Sequence, residues 1–229
     1  MLPAADPSTT AEREAWRARV GDFDKVAHAA RALLAGDMGP IAESLNDAGI
    51  GRPAIRIDPP ESDLDLPPLR ALWGFWRARI GADGAPPPAS TVDPLELREA
   101  LGNLILLESI GDGTDFLYRL YGTTISAHAG TDWTGWTMGA MTLKTGGGLG
   151  VYYRALQSAC ALSRKPVASQ HNSPPWLGAT SWRRLTVPFL DEAGACTRFA
   201  VATVPVAFRR RSSAEEAEFL RRVGPRPPE

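Results

Sequence analysis

Few side chains of this sequence combine the residue types and the spacing that catalysis needs. Ser169 and His171 lie two positions apart, and Asp112, Asp115 and Asp132 are carboxylates that could complete a Ser-His-Asp triad on paper. The sequence contains no Gly-x-Ser-x-Gly motif, which in many hydrolases exposes a nucleophilic serine at a sharp turn. Motifs of kinases, cyclases and phosphatases are also missing, so the sequence predicts a protein that is not an enzyme and whose output comes from binding a partner.

The cysteines and histidines do not have the spacing of a metal site. Cys160 and Cys196 are far apart in the sequence and have no second thiol or histidine pair beside them. His28, His128 and His171 are equally isolated from one another. The sequence therefore predicts no metal site and two reduced, buried cysteines.

The overall composition is that of a globular protein without a strong electrostatic preference. The 229 residues include 25 basic and 26 acidic side chains, and 44% of them are apolar. This balance argues against a general affinity for nucleic acids or anionic membranes. No apolar run approaches the ~20 residues that cross a bilayer, and the first residues do not resemble a secretory signal. We therefore predict a cytoplasmic protein.

Periodic apolar residues predict two helices near the N-terminus. In residues 9–35 apolar side chains recur every three or four positions, and a shorter helix over about residues 38–47 completes a helical hairpin. Because the apolar face between Trp16 and Leu34 is too hydrophobic for water, it should pack on a sheet or on a second copy. A proline-rich, acidic stretch over residues 52–68 then predicts an extended linker.

Beyond this linker the apolar pattern predicts a sheet with helices. Helices are expected over residues 69–80 and 93–101, a broken helical segment over 124–136, a long amphipathic helix over 149–163 and a last helix over 212–223. Alternating or short apolar runs predict five strands, at residues 103–108, 115–123, 166–171, 181–190 and 196–208. Antiparallel strands that are interrupted by helices after the second strand predict an α+β fold with helices on one face of the sheet.

Five sequence blocks occur in an order and a spacing that are typical of one family. They are Leu-Pro-Pro-Leu-Arg-Ala-Leu-Trp-Gly-Phe-Trp (66–76), Pro-Pro-Pro-Ala-Ser-Thr-Val-Asp-Pro (86–94), Asp-Phe-Leu-Tyr-Arg-Leu-Tyr-Gly-Thr (115–123), Gly-Thr-Asp-Trp-Thr-Gly (130–135) and Arg-Arg-Leu-Thr-Val-Pro-Phe-Leu-Asp-Glu-Ala-Gly (183–194). Together they resemble a bacterial branch of PAS sensor domains over about residues 64–208. The resemblance implies a PAS-like five-stranded antiparallel sheet with helices crossing one face, preceded by an N-terminal helical extension.

The resemblance also suggests a division of the chain. Residues 1–60 would form the helical hairpin and the proline-rich linker, and residues 61–208 the PAS-like domain. Residues 209–229 would form a C-terminal basic and acidic helix with a tail.

A ligand pocket between the sheet and the crossing helices is implied by the same resemblance. Its lining residues would come from the second strand, the segment after it and the long helix: Tyr118, Leu120, Trp133, Trp136, Met138, Tyr152 and Leu156. These side chains could instead form a closed hydrophobic core. Arg119, next to Tyr118 in a strand, is expected on the opposite face, where it is either solvated or packed against a helix or a second subunit.

The resemblance leaves the cofactor unknown. Flavin-binding relatives use a cysteine in an Asn-Cys-Arg sequence at the start of a helix, and haem-binding relatives use a histidine on the long helix. This chain lacks the first, and residues 149–163 contain no histidine. His128 could bind haem only in an unusual arrangement, so flavin and haem are both disfavoured.

From the resemblance we predict a sensory or regulatory domain that binds a small molecule and signals through protein-protein contacts. A homodimer is expected, because helices that precede the core of PAS domains often dimerise. The alternative is a ligand-free adaptor that acts only by protein-protein interaction. A DNA-binding regulator is a weaker alternative, since the helix over residues 38–47 carries Glu43 and Asp47 and almost no basic residues.

Overall fold

An open antiparallel sheet of six strands forms the centre of the computed structural model, which describes residues 15, 18, 20–46, 50–51, 53–145, 149–174 and 177–223. The strands are β1 (Ala54–Ile57), β2 (Leu104–Ile110), β3 (Asp115–Tyr121), β4 (Val167–Asn172), β5 (Ala179–Leu190) and β6 (Cys196–Phe208). They lie in the order β1-β4-β5-β6-β2-β3, and all neighbouring pairs are antiparallel. The α+β class and the five predicted strands are confirmed.

The sixth strand, β1, corrects the predicted number of strands. It pairs antiparallel with β4 at one edge of the sheet, with Ile55 opposite Ser169. We predicted this segment as an extended linker, because its prolines and acidic residues cannot sustain a helix. Prolines are tolerated beside an edge strand, where one side of the backbone is free. β1 thus belongs to the sheet although it precedes residue 61.

Seven α-helices accompany the sheet in the described part of the chain. They are α1 (Phe23–Leu34), α2 (Gly39–Asn46), α3 (Pro67–Arg77), α4 (Thr123–Ala129), α5 (Met138–Thr145), α6 (Leu149–Ser163) and α7 (Ser213–Val223). The longest of these, α6, has 15 residues. No helix in the described ranges has both the length and the apolar content needed to cross a bilayer.

Both faces of the sheet are covered by helices. On one face, which we call the helix side, α4, α5 and α6 cross the sheet and pack on side chains such as Phe116, Tyr118 and Phe199. On the other face, the outer side, the apolar stripe of α3 packs on β5 and β6. There the Trp76 indole N–H donates a hydrogen bond to the Pro188 carbonyl at 2.8 Å. The predicted crossing helices are confirmed, and α3 adds a second covered face.

The N-terminal helices pack on α6 of the same chain. Val26 and Leu33 of α1 and Ile41 and Leu45 of α2 are buried in a core that they share with α6. We expected this apolar face to cover the sheet or a second copy, but it covers a helix that itself lies on the sheet. Trp16, at the start of the predicted face, lies outside the described residues.

The helix predicted over residues 93–101 is wrong. The chain instead makes consecutive turns in which a backbone amide donates to the carbonyl three residues earlier. One example is the Leu97 amide, which donates to the Pro94 carbonyl at 3.1 Å, and a 3₁₀ turn over Leu101–Asn103 follows this stretch. Only Leu97 and Ala100 are buried in residues 93–100. This stretch has too few apolar anchors to stabilise a regular amphipathic helix.

Candidate functional site

A β-bulge in β3 determines which side chains face the crossing helices. Consecutive residues of β2 pair with Leu120 and Tyr118, so Arg119 is the extra residue. Tyr118 therefore shares the helix side with Tyr121, while Leu120 packs on the outer side with the cluster around α3. The prediction that Tyr118 and Leu120 line one pocket is corrected, because the bulge turns Leu120 to the other face.

The remaining predicted pocket residues lie together on the helix side. Buried in one core are Tyr118, Trp133, Met138, Tyr152 and Leu156, with Trp136 partly buried at its edge. The loop that carries both tryptophans is attached to the edge strand β3, because the Tyr118 amide donates to the Trp136 carbonyl at 2.9 Å. Most of the predicted lining residues thus pack against one another.

Arg119 occupies the outer side, as predicted. Its exposed side chain forms an ion pair with Glu108 of β2, and Glu108 also binds Arg198 of β6 at 2.8 Å. The charge of Arg119 is therefore paired within the sheet.

The most unusual polar side chain on the helix side is Arg184 of β5. Arg183 and Arg184 are neighbours in this strand and point to opposite faces. Arg183 lies on the outer side and pairs with Asp65 at 2.5 Å. Arg184 is only 6% exposed, and its guanidinium carbon lies 4.2 Å from the centre of the Tyr153 ring. In the described part of the chain no carboxylate forms an ion pair with Arg184.

Two hydroxyl groups flank Arg184 across the sheet. Ser169 of β4 and Thr203 of β6 lie directly opposite Arg184 in the two neighbouring strands, so all three side chains project from the same face of the sheet. The Cβ atoms of such cross-strand partners are about 5 Å apart. Both residues are buried. The Thr203 hydroxyl has no hydrogen-bond partner among the described residues. A row of Ser, Arg and Thr therefore crosses three adjacent strands beneath the helices.

Tyr153 of α6 connects this row to His171. The Tyr153 hydroxyl lies 3.0 Å from His171 Nε2, and His171 Nδ1 lies 2.8 Å from the Asn172 carbonyl. A carbonyl can only accept, so Nδ1 carries the proton and Nε2 accepts from Tyr153. Burial lowers the pKa of His171 to about 4, although the Asn172 carbonyl acts in the opposite direction. His171 is therefore neutral at physiological pH.

Tyr121 and Tyr153 are partly buried tyrosines whose hydroxyl groups interact electrostatically with Arg184. Each keeps some accessible surface, yet burial raises the pKa of both hydroxyls, while the positive charge of Arg184 acts to lower them. Side chains on the open surface would not be desolvated in this way. We call the surrounding group the Arg184 recess and define it by six residues: Tyr121, Tyr153, Ser169, His171, Arg184 and Thr203.

The possible catalytic triad is not assembled around His171, whose ring nitrogens are used by Tyr153 and Asn172. The three candidate carboxylates accept hydrogen bonds from other backbone amides: Asp112 from Thr114, Asp115 from Gly139, and Asp132 from Thr134.

The remaining candidate ligands of metals or haem also have other contacts. His128 packs against Phe208, with ring centres 5.0 Å apart. Cys160 is buried, as predicted, whereas Cys196 is only partly buried, and neither forms a disulfide. Within the described ranges, no group of three or more His, Cys, Asp and Glu residues could hold a metal ion.

A second concave region lies on the outer side, at the edge formed by β1, β4 and β5. It has a volume of about 530 Å³, and charged residues line it. Arg56 pairs with Asp63 at 2.7 Å and Arg183 pairs with Asp65, so these charges satisfy one another. The residues that line this cleft also include Ser169 and Arg184, so the cleft borders the strands that carry the Arg184 recess.

Sequence reasoning missed the polar residues of the recess, although one signal for them was present. Two adjacent arginines in a strand must face opposite sides of a sheet. When both sides are covered by helices, one arginine has to enter the interior. The pair Arg183 and Arg184 thus indicated a buried cation, whereas the partners Ser169 and Thr203 depend on strand register.

The comparisons with known proteins bear on one part of the chain. Residues 64–144, which include α3, β2, β3 and α4, match the family model of the PAS domain. No significant match was found among the curated proteins or the solved structures. The six-stranded sheet with crossing helices is consistent with a PAS-like fold. The resemblance predicted from the sequence is thus confirmed over residues 64–144, which are similar to the PAS domain family.

Proposed function

We propose that this protein is a cytoplasmic sensory domain that binds a small molecule in the Arg184 recess and signals through contacts with another protein. The PAS match supports a sensory or regulatory role in general. The observation that carries the ligand is Arg184 itself, whose guanidinium is buried without a carboxylate partner among the described residues.

The energetic argument concerns the cost of burying a charge. Removing a guanidinium from water is unfavourable unless hydrogen bonds and an opposite charge compensate for it. The Tyr153 ring offers partial compensation, because a cation is attracted to the face of an aromatic ring. A bound ligand with an acceptor group would supply the rest, which gives the recess an affinity for such a molecule.

The helix α6 offers a route from the recess to the N-terminal helices. Tyr153 contacts the recess, and the next residue, Arg154, lies under the start of α1. The Arg154 guanidinium donates to the Gly21 carbonyl at 3.5 Å and lies 5.2 Å from the Phe23 ring. A ligand that displaces Tyr153 would shift α6 and alter how α1 packs, so a partner that contacts α1 would sense occupancy.

The proposed homodimer needs a surface other than the one from which we predicted it. Val26 and Leu33 of α1 are buried against α6 of the same chain. This apolar face is therefore not free to bind a second copy in the present arrangement. The proposal of a dimer accordingly depends on α1 moving or on another surface.

A ligand-free adaptor is the second candidate. It is favoured by the close packing of Tyr118, Trp133, Met138 and Tyr152, which fill much of the space where PAS domains hold ligands. In that case Tyr153 and water would satisfy Arg184. For neither candidate do we propose a catalytic reaction.

Native mass spectrometry of the freshly purified full chain, compared with its denatured mass, distinguishes these functions. A sensor should show an added mass that disappears on denaturation. A bare native mass, together with no binding in a screen of small carboxylates and neutral analogues, would overturn the sensor proposal and favour the adaptor. The same spectrum gives the number of subunits and so tests the homodimer.

A further inference from the structure

We infer that the ligand of the recess is a small monocarboxylate with an apolar or aromatic body, held by its carboxylate at Arg184. This inference rests on the function proposed above and names the chemical class of the ligand.

The charge of the recess favours a monoanion. Arg184 supplies one positive charge, and His171 is neutral because burial lowers its pKa to about 4, with its Nδ1 held at the Asn172 carbonyl and its Nε2 at the Tyr153 hydroxyl. Among the described residues, the other buried arginine, Arg154, lies under Phe23 and Gly21 rather than in the recess. One positive charge matches one carboxylate, whereas a phosphate dianion would leave a buried negative charge uncompensated.

The geometry of the donors also suits a carboxylate. A guanidinium presents parallel N–H groups that two carboxylate oxygens can accept together. The Thr203 hydroxyl, which is buried and has no partner among the described residues, projects from the neighbouring strand at the same register position. It can donate a further hydrogen bond to one of those oxygens. Ser169 occupies the corresponding position on the other side.

The walls of the recess favour an apolar or aromatic body. Tyr118 and Tyr121 meet edge to face with ring centres 5.3 Å apart, and Tyr153 stacks on the guanidinium of Arg184. Ring faces bind flat or aliphatic groups well and give little hydrogen bonding in return.

Ligand-observed NMR with the full chain tests this inference. The probes are acetate, hexanoate, benzoate and phenylacetate, each paired with its neutral amide. We expect at least one carboxylate to bind more tightly than its amide. Arg184→Gln should weaken that binding by about ten- to a hundredfold, because a charge-assisted hydrogen bond is lost. Arg183→Gln, the matched control on the outer side, should leave the affinity unchanged.

Thr203→Val keeps the inference testable if Arg184→Gln fails to fold, since valine has nearly the shape of threonine. It should weaken carboxylate binding by about three- to tenfold through the loss of one neutral hydrogen bond. Circular dichroism of each variant reports whether it has folded.

The outcomes separate the inference from the proposed function. The inference is overturned, and the sensor proposal stands, if the amides bind as tightly as the carboxylates. The inference is likewise overturned if folded Arg184→Gln and Thr203→Val bind the carboxylate as tightly as the wild type does. A neutral ligand that co-purifies with the protein would also overturn it, while the sensor proposal would stand. If no probe binds and the native mass is bare, the proposed function fails and the inference fails with it.

Discussion

The rings of Tyr118 and Tyr121 meet edge to face, with their centres 5.3 Å apart, although the two residues are three positions apart in one strand. In a regular strand this spacing would place them on opposite faces of the sheet. The bulge at Arg119 brings them to the same face and sends Leu120 to the other. The wall of the Arg184 recess thus depends on one inserted residue.

This relationship predicts that neighbouring substitutions in β3 act differently. Leu120→Ala should lower the free energy of unfolding by about 1–2 kcal/mol, because it removes packing beneath α3 at a partly buried site. It should not affect ligand binding. Tyr121→Leu should weaken ligand binding instead, since Tyr121 borders the recess. Urea unfolding and ligand-observed NMR measure the two quantities. Equal loss of binding in both variants would contradict the assigned bulge.

His171 should make stability depend on pH. Burial lowers its pKa to about 4 from the ordinary value of 6.5, so between these values the unfolded chain binds a proton that the folded chain does not. The contribution of this group to stability is therefore intact above about pH 6.5 and is lost as the pH falls toward about pH 4, by up to about 3 kcal/mol.

The variant His171→Gln isolates this term from the carboxylates that titrate in the same range. Urea unfolding at about pH 7 and about pH 5 should show a smaller loss of stability for the variant than for the wild type. Identical losses in the two proteins would show that His171 does not cause the effect.

Gly139 of α5 should tolerate no side chain. A Cβ atom at this position would lie 2.6 Å from a Val20 methyl group and 2.7 Å from an Asp115 carboxylate oxygen. Gly139→Ala should therefore lower the free energy of unfolding by about 1–3 kcal/mol through overpacking, and it should loosen the residues that precede α1. Thermal unfolding and limited proteolysis measure these two effects.

Gly74 of α3 provides the matched control for that substitution. It is also helical, but no atom lies within 4 Å of a Cβ built there. Gly74→Ala should raise stability by about 0.5–1 kcal/mol, because alanine has the higher helix propensity. If both alanine variants were stabilised, the close contact between Gly139 and Val20 would be refuted.

Trp76 should contribute to stability through both its ring and its hydrogen bond. Trp76→Phe keeps an aromatic ring on the outer side but removes the 2.8 Å hydrogen bond to Pro188, leaving a buried carbonyl without its donor. We expect a loss of about 1–3 kcal/mol in chemical unfolding. Ligand binding should be unchanged, since α3 lies across the sheet from the recess. A loss of binding without a loss of stability would contradict this placement.

Local pattern was sufficient to predict most of the elements. The helix α6 has its predicted bounds, 149–163, and the order of five strands and crossing helices was also predicted correctly. These features follow from periodicity, which the backbone geometry of a helix or strand imposes on neighbouring residues. The PAS resemblance could also be recognised from the sequence, because each of its blocks is a continuous run of residues.

Long-range pairing decided what the local pattern could not. β1 is a strand because β4 offers it an edge, and Leu120 left the predicted pocket because β2 pairs with β3 around a bulge. Arg184 obtained Ser169 and Thr203 as neighbours through the registers of two separate strand pairs. Register is set by the simultaneous burial of side chains from distant parts of the chain, so no single segment contains the information that assembles the recess.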